Sequence, residues 1–529
     1  MKRGDGMTQT QYTLTVAQEA GDFKISCAPE DSFLTALRDA GFTEPETPCG
    51  GKGTCHKCRV FVTGGVRSLS TGETRAVADE ELLACRFAPA GDCTLRLHSS
   101  SGEMRVVTGG LAAIGGGGEG LGLAVDIGTT TVAAFLYALD TGLRLTEAGA
   151  RNAQRGYGAD VISRITCCGE AGKLPELRDA IRTQVTSLAR TMCQSRGREL
   201  SEIRRVSIAG NTVMEHLFDG LDPTQIGVAP FRPASLFGDS RAAKSCLPDF
   251  RPDAGVYLCP CVAGYVGGDV TAGLLASGGA DAEGLWLYID IGTNGEMALG
   301  NKDGFVCCAT AAGPAFEGAE ITCGMGGAPG AIDRVRAEGG DVSVHVIGEE
   351  GKALGVCGSG LIDAVAAMLE LEVVTEAGRL LSADDIPGPA GARIFREKDR
   401  QAFRLRDGVY IAAQDIREIQ LAKAAIRAGA ETLLELRGVA AADITELVIA
   451  GGFGAYMDKY SALRIGLLPQ VSPERIRHVG NSAGAGAALT LTPEGRRALE
   501  EFAQRCSYLE LSSSRAFSEH FMDYMAFGD

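Results

Sequence analysis

The strongest constraint on the fold of this 529-residue chain is a pattern that occurs twice: AVDIGTTT at 124–131 and YIDIGTNGE at 288–296, with their aspartates 164 residues apart. Each copy is an apolar run ending in Asp-Ile-Gly-Thr. The run reads as a buried strand. The Asp then stands at the strand's end, before a turn of small residues whose amides and hydroxyls can face phosphate. One copy would be weak evidence, because strand–turn motifs with Gly-Thr are common. Two copies imply two related subdomains, each contributing one loop to a shared cleft, and the spacing is far too long for a solenoid. In that cleft Asp126 and Asp290 would hold Mg²⁺, directly or through water. Thr129, Thr130, Thr293 and Asn294 would contact phosphate oxygens, in turns that also contain Gly128 and Gly292.

Three further segments follow in a fixed order. AGYVGGDVTAGLLA precedes the second loop, with Asp269 opening a helix of small residues. LVIAGGFGAYMD is a strand that runs into Gly451, Gly452 and Gly454. GNSAGAGAAL, at 480–489, reads as a helix small enough for close packing. Buried strands are expected at 123–127, 132–137, 206–209, 285–291 and 447–450, and a long helix at 174–194 with Pro175 in its first turn. Apolar strands mixed with helices imply an α/β domain. Ahead of it, GGLAAIGGGGEGLG at 109–122 has the glycine density of a flexible joint.

The first hundred residues differ. Strands are expected at 11–17 and 22–28, then a helix at 32–40 capped by Asp31 and stopped by Gly41. A cysteine- and glycine-rich loop leads to a strand at 58–62, a helical stretch at 71–85 and a last strand at 93–98. The loop, PCGGKGTCHKCRV, places Cys49, Cys55 and Cys58 in a C-x5-C-x2-C spacing, and Cys85 in LLACRF is the candidate fourth ligand. Four thiolates, three of them on one loop, suit two bridged irons. Gly50, Gly51 and Gly53 let the backbone wrap the inorganic sulfides closely. Zinc is the alternative, but it usually takes two CxxC-like pairs and one is present. Cys27 and Cys93, on expected strands, read as ordinary buried cysteines.

Composition narrows the function. The net charge is −16, so the basic footprint of a nucleic-acid binder is missing. No apolar run reaches the ~20 residues that span a bilayer, and the N-terminus lacks the apolar core of a secretory signal. Seventeen cysteines in such a chain argue for a reducing cytoplasm and metal ligation.

The cysteine loop closely resembles adrenodoxin-like [2Fe–2S] ferredoxins over residues 10–98, with x5 where the plant type has x4. The later segments resemble the five-part layout of the actin, sugar-kinase and heat-shock-chaperone ATPases. That resemblance implies phosphate-loop roles for Asp126 and Asp290. It assigns Asp269 to orienting the attacking water or hydroxyl, and Gly451, Gly452 and Gly454 to the adenosine. The implied fold is α/β multi-domain: an N-terminal β-grasp [2Fe–2S] ferredoxin plus a two-subdomain, ribonuclease H-like ATPase. The expected boundaries are ferredoxin 8–98, linker 99–122, ATPase subdomain I 123–284, and subdomain II with the tail 285–529.

Together the halves resemble the reductive activators of corrinoid-dependent methyltransferase systems. NAQRGYGADVISRI, AGNTVMEH, ITCGMGGAPGAI and CGSGLIDAVA carry this resemblance alongside the motifs above. It implies ATP-dependent transfer of one electron from the cluster to Co(II) of a corrinoid protein, regenerating Co(I). The implied cofactors are a [2Fe–2S] cluster and ATP with Mg. The implied partners are a corrinoid protein and a low-potential electron donor, with no nucleic acid and no membrane, and a homodimer is compatible. Members are often longer between ferredoxin and first phosphate loop; here about 27 residues separate His98 from Asp126. The competing readings are an activator of another low-potential enzyme and a non-enzymatic electron-transfer adaptor. The four-Cys loop argues against the first and the intact pair of loops against the second.

Overall fold

The computed structural model describes residues 11–17, 22–40, 42, 45, 51, 53, 58–97, 111–348, 352–397, 399–452 and 454–528. Cys49 and Cys55, Gly41 and Gly50, His98 and residues 99–110 of the expected linker lie outside them. The chain divides into two compact units, Met1–Ser101 with Arg151–Ile181, and Gly102–Ala150 with Arg182–Asp529. Residues 151–181, expected in the first ATPase subdomain, thus group with the ferredoxin.

The first unit has five strands: β1 (Tyr12–Ala17), β2 (Phe23–Cys27), β3 (Arg59–Ser68), β4 (Thr74–Leu83) and β5 (Phe87–Leu97), in the order β2-β1-β5-β3-β4. Only β1 and β5 run parallel among the neighbouring pairs. Alternate residues of these strands, Leu14, Val16, Val60, Val62 and Leu95, pack against Phe33, Leu34 and Leu37 of the helix Phe33–Asp39. This is the expected β-grasp. Cys27 and Cys93 are buried in the same core.

Two local expectations are corrected. The helix is capped by Ser32, whose Oγ accepts the Thr35 N–H at 3.0 Å, and not by Asp31. The stretch 71–85 is not helical but holds β4. Its glutamates and alanines favour a helix locally. The pairing with β3 overrides that preference, because Val77 and Leu82 then reach the core while the charged residues face solvent on an edge strand.

The second unit is built on two six-stranded sheets. The first contains β6 (Leu121–Ile127), β7 (Thr131–Ala138), β8 (Arg144–Arg151), β9 (Ile203–Gly210), β10 (Asp239–Ala242) and β11 (Gly255–Leu258), in the order β10-β11-β9-β6-β7-β8. In the second half of the chain come β12 (Trp286–Ile291), β13 (Gly295–Asn301) and β14 (Gly304–Thr310). Two small sheets follow, β15 (Ala331–Glu338), β16 (Asp341–Val346) and β17 (Gly355–Val356), then β18 (Ile394–Glu397), β19 (Arg400–Arg406) and β20 (Val409–Ala412). The last strands, β21 (Glu446–Ala450), β22 (Ile476–Gly480) and β23 (Cys506–Tyr508), complete the second large sheet in the order β22-β21-β12-β13-β14-β23.

The repeated motif is therefore a structural duplication. β6 is antiparallel to β7 and parallel to β9, as β12 is antiparallel to β13 and parallel to β21. Asp126 and Asp290 hold the same place, the penultimate residue of their strands. The expected long helix is Lys173–Ser195. The glycine-rich tract is not a free joint from residue 111 onward. Ile114 donates to Gly142 O, and Gly117 and Gly118 donate to Leu139 O, so the tract is pinned along the β7–β8 hairpin before entering β6.

Candidate functional site

The two Asp-Ile-Gly-Thr loops converge. Asp126 and Asp290 end the central strands of the two large sheets, and Asp269 lies in the first turn of the helix Gly268–Ser277. That helix packs on Ser482–Leu489 at backbone distance. A Cβ at Gly486 would lie 2.1 Å from Ala272 O, and one at Gly273 would lie 2.9 Å from Ser482 Oγ. The small residues of both helices thus permit the contact expected of them. Asn481 caps the second helix by accepting from Gly484 N, and its Nδ2 donates to Asp126 Oδ2 at 2.8 Å. Asn211, the cap of the helix Thr212–Asp219, donates through Nδ2 to Thr129 Oγ1 at 3.0 Å.

Three carboxylates face one another here with no cationic side chain among the groups acting on them. Burial raises Asp126 to about 7, helped by Asp269 and opposed by the Asn481 hydrogen bond. Asp290 rises to about 8 through burial and then the charges of Asp269 and Asp126. Burial raises Asp269 to about 6 against the pull of backbone amides. Glu296, in the second motif, is pushed well up by burial and by Asp269 and Asp290. Burial is the main cause of these shifts, with like-charge repulsion added at Asp126 and Asp290. Carboxylate oxygens are the donor type that Mg²⁺ takes, but among the described residues no group of three or more His, Cys, Asp or Glu side chains is close enough to hold a metal ion as they stand.

Because these folded-state values lie above the ordinary 3.8, the folded protein holds more protons than the unfolded chain between about pH 4 and 8. Stability is thus greatest on the acid side of this window and falls as pH rises through 6 to 8. The cation- and nucleotide-free protein should melt several degrees lower at pH 8.5 than at pH 6, and Mg²⁺ should flatten that dependence. Thermal scans by circular dichroism check this; a melting temperature that rises with pH would refute the uncompensated cluster.

The glycines at 451, 452 and 454 follow β21. Gly451 has φ +91°, and a Cβ there would lie 2.5 Å from Asp290 Oδ1, so a side chain would collide with the carboxylate. Gly452 is exposed, and Gly454 O accepts from or faces His478 Nδ1 at 2.7 Å. Tyr456 is exposed and Met457 is buried as packing. A cavity of about 530 Å³ lies apart from the carboxylates, lined by Val335, Arg336, Asp363, Asp458, Tyr460 and Arg464 among others.

Sequence reasoning missed three residues, Glu317, Asn211 and Asn481. Glu317, in the short turn Pro314–Glu317, accepts from Thr130 Oγ1 at 2.7 Å and from Thr293 Oγ1 at 2.6 Å. Its local sequence, GPAFEG, has no motif character, and nothing short of the fold places it between the loops. The roles of Asn211 and Asn481 were equally hidden, although both stood inside recognised segments.

In the first unit the described half of the cysteine set is together. Cys58 Sγ and Cys85 Sγ lie 3.2 Å apart, and Cys58 is buried. That is beyond the ~2.05 Å of a disulfide and close to the roughly 3.7 Å between two thiolates on one tetrahedral metal. Gly51 and Gly53, with φ of +91° and +74°, give the loop a backbone that side chains resist. The Arg38 guanidinium is half-buried within electrostatic reach of both sulfurs. The sulfur pair, the glycine loop and the adjacent cation fit a cluster that becomes more negative on reduction.

A β-grasp ferredoxin domain and a duplicated two-sheet ATPase fold in one chain define a nucleotide-coupled iron–sulfur protein. The comparisons with known proteins agree. The 2Fe-2S iron-sulfur cluster binding domain matches residues 16–90, the RACo middle region 121–280, and the C-terminal domain of RACo, the ASKHA domain, 284–529. A solved structure, the reductive activator for corrinoid, iron-sulfur protein, aligns with a TM-score of 0.70 at 30% identity over 98% of both chains. The corrinoid activation enzyme RamQ of Eubacterium limosum is 35% identical over 77% of this chain and 70% of its own length. The [Co(II) methylated amine-specific corrinoid protein] reductase of Methanosarcina barkeri is 25% identical over 61% of this chain and 63% of its own length. The chain belongs to the RACo family of corrinoid activators. The middle region begins at β6 itself.

Proposed function

We propose that this chain reactivates a corrinoid protein by ATP-dependent one-electron reduction of Co(II) to Co(I). The end-to-end likeness to a solved reductive activator carries this reading, because it includes the ferredoxin and the ATPase together. Cys49, Cys55, Cys58 and Cys85 would hold a [2Fe–2S] cluster, which would supply one-electron chemistry at about −400 mV if it behaves as a plant-type centre. Each further ~59 mV of unfavourable gap costs tenfold in the equilibrium, which an ATP-driven step can overcome.

The chain's own groups divide the work. Asp126 and Asp290 would hold Mg²⁺, directly or through water, and the cation would neutralise phosphate charge. Asp269 orients the attacking water from the first turn of its helix. Thr129, Thr130, Thr293 and Asn294 donate to phosphate oxygens from turns shaped by Gly128 and Gly292, and Gly451, Gly452 and Gly454 clear a bare surface for adenosine. The donor is a low-potential reductant and the setting is cytoplasmic, and the reading is compatible with a homodimer. Among the described residues no helix is long and apolar enough to cross a membrane.

An anaerobic optical assay tests the proposal. Protein, reductant and a Co(II) corrinoid protein are mixed with and without Mg-ATP while Co(I) absorption is followed. Co(I) should appear with ATP only. If several corrinoid proteins yield no Co(I) although the cluster is reduced and ATP is hydrolysed, the acceptor is another low-potential enzyme.

A further inference from the structure

We propose that Glu317 is a clasp: its carboxylate holds the two phosphate loops to each other in the nucleotide-free protein, and ATP must displace it. This rests on the reading that these loops bind the phosphates of ATP. Thr130 belongs to the loop between β6 and β7, and Thr293 to the loop between β12 and β13. Their hydroxyls donate to opposite oxygens of one carboxylate, at 2.7 Å and 2.6 Å. One side chain therefore links the turns of the two large sheets.

The chemistry of those hydroxyls makes the link competitive. Each threonine has a single proton to donate. While it serves Glu317 it cannot serve a phosphate oxygen. The carboxylate also stands as a negative charge where the negative phosphates must come, and at these distances in a cleft the two anions repel. Glu317 is thus an internal occupant of part of the phosphate site. The measured affinity for ATP is the intrinsic affinity reduced by the fraction of molecules with the clasp closed.

The clasp is also placed to pass on its release. Gly318, with φ +79°, follows Glu317, and a Cβ there would lie 2.6 Å from Met325 N. Met325 N donates to Val356 O, at the strand that leads into the helix Gly358–Glu370. The turn Pro314–Glu317 packs on that helix and on Ala413–Arg437. Movement of Glu317 away from the threonines is movement of this packed segment. Glu317 acts on nucleotide through Thr130 and Thr293, so it is a positioning residue and not a catalytic one.

Glu317→Gln tests the clasp, because it keeps the shape and removes the charge and one of the two acceptor oxygens. In the full-length protein, calorimetric titration should show ATP bound on the order of tenfold more tightly than by wild type, the worth of one hydrogen bond to a charged group. Adenosine, which has no phosphate to compete, should bind both proteins equally. Glu317→Asp keeps the charge but is too short to span both threonines, and should fall between the two; it serves as the readout if the glutamine variant does not fold. Equal or weaker ATP binding by the variants would overturn the clasp, weaker binding only with Mg²⁺ marking Glu317 as a cation ligand instead. A wild type that binds no ATP would overturn the nucleotide-site reading itself, a separate result.

Discussion

Cys58→Ser should abolish the visible [2Fe–2S] absorption and with it all ATP-dependent formation of Co(I), while partner-free ATP hydrolysis persists. Cys58 is buried beneath the helix Phe33–Asp39, with its sulfur 3.2 Å from that of Cys85. A serine hydroxyl titrates far above a thiol and is a harder donor, so it is a much poorer ligand than thiolate for a sulfide-bridged iron. Loss of outer-sphere partners alone costs ~10–100-fold in metal affinity, and loss of a ligand costs more. The ATPase sheets lie in the other compact unit with their own cores, which is why hydrolysis should survive. Iron content, the visible spectrum and phosphate release, measured together, check the result; an unchanged spectrum removes Cys58 from the ligand set.

Asp290→Ala should have the opposite signature, an intact cluster spectrum with ATP turnover reduced by about 10²–10³-fold or more. Asp290 ends β12 with the Gly451 backbone against it and Asp126 and Asp269 within electrostatic reach. Removing it takes away a proposed cation ligand at the point where phosphate charge would be neutralised. It also relieves a cluster in which all three carboxylates are pushed up by burial, and Asp126 and Asp290 by a neighbouring carboxylate as well. The variant's melting temperature, without cation, should therefore equal or exceed that of wild type. Normal turnover would refute the role of Asp290, and a large loss of stability would refute the strained cluster. A functional site that destabilises its own fold would account for both halves of the result.

Much of this was legible in the chain. A buried apolar run ending in Asp-Ile-Gly-Thr has few structural solutions, so β6 and β12 and the place of their aspartates followed from the pattern. The small residues of 480–489 announced a helix that meets another at backbone distance, and Ala272 is what it meets. The stretch 71–85 failed for a physical reason: its local preference is helical, and only pairing with β3 makes it a strand. The glycine tract misled because glycine permits flexibility without enforcing it, and from residue 111 onward hydrogen bonds to the β7–β8 hairpin hold it.

The sequence by itself determined the parts: a cysteine loop spaced for bridged irons, two Asp-Ile-Gly-Thr loops, and the order of the helices and strands that carry them. These are local properties, set by residue type and short spacing. Only the tertiary structure decided the meetings: Asn481 with Asp126, Cys58 with Cys85, and one glutamate between two threonines 163 residues apart. Such contacts depend on how whole sheets pack, and a carboxylate with no motif around it acquires its partners only when that packing is complete.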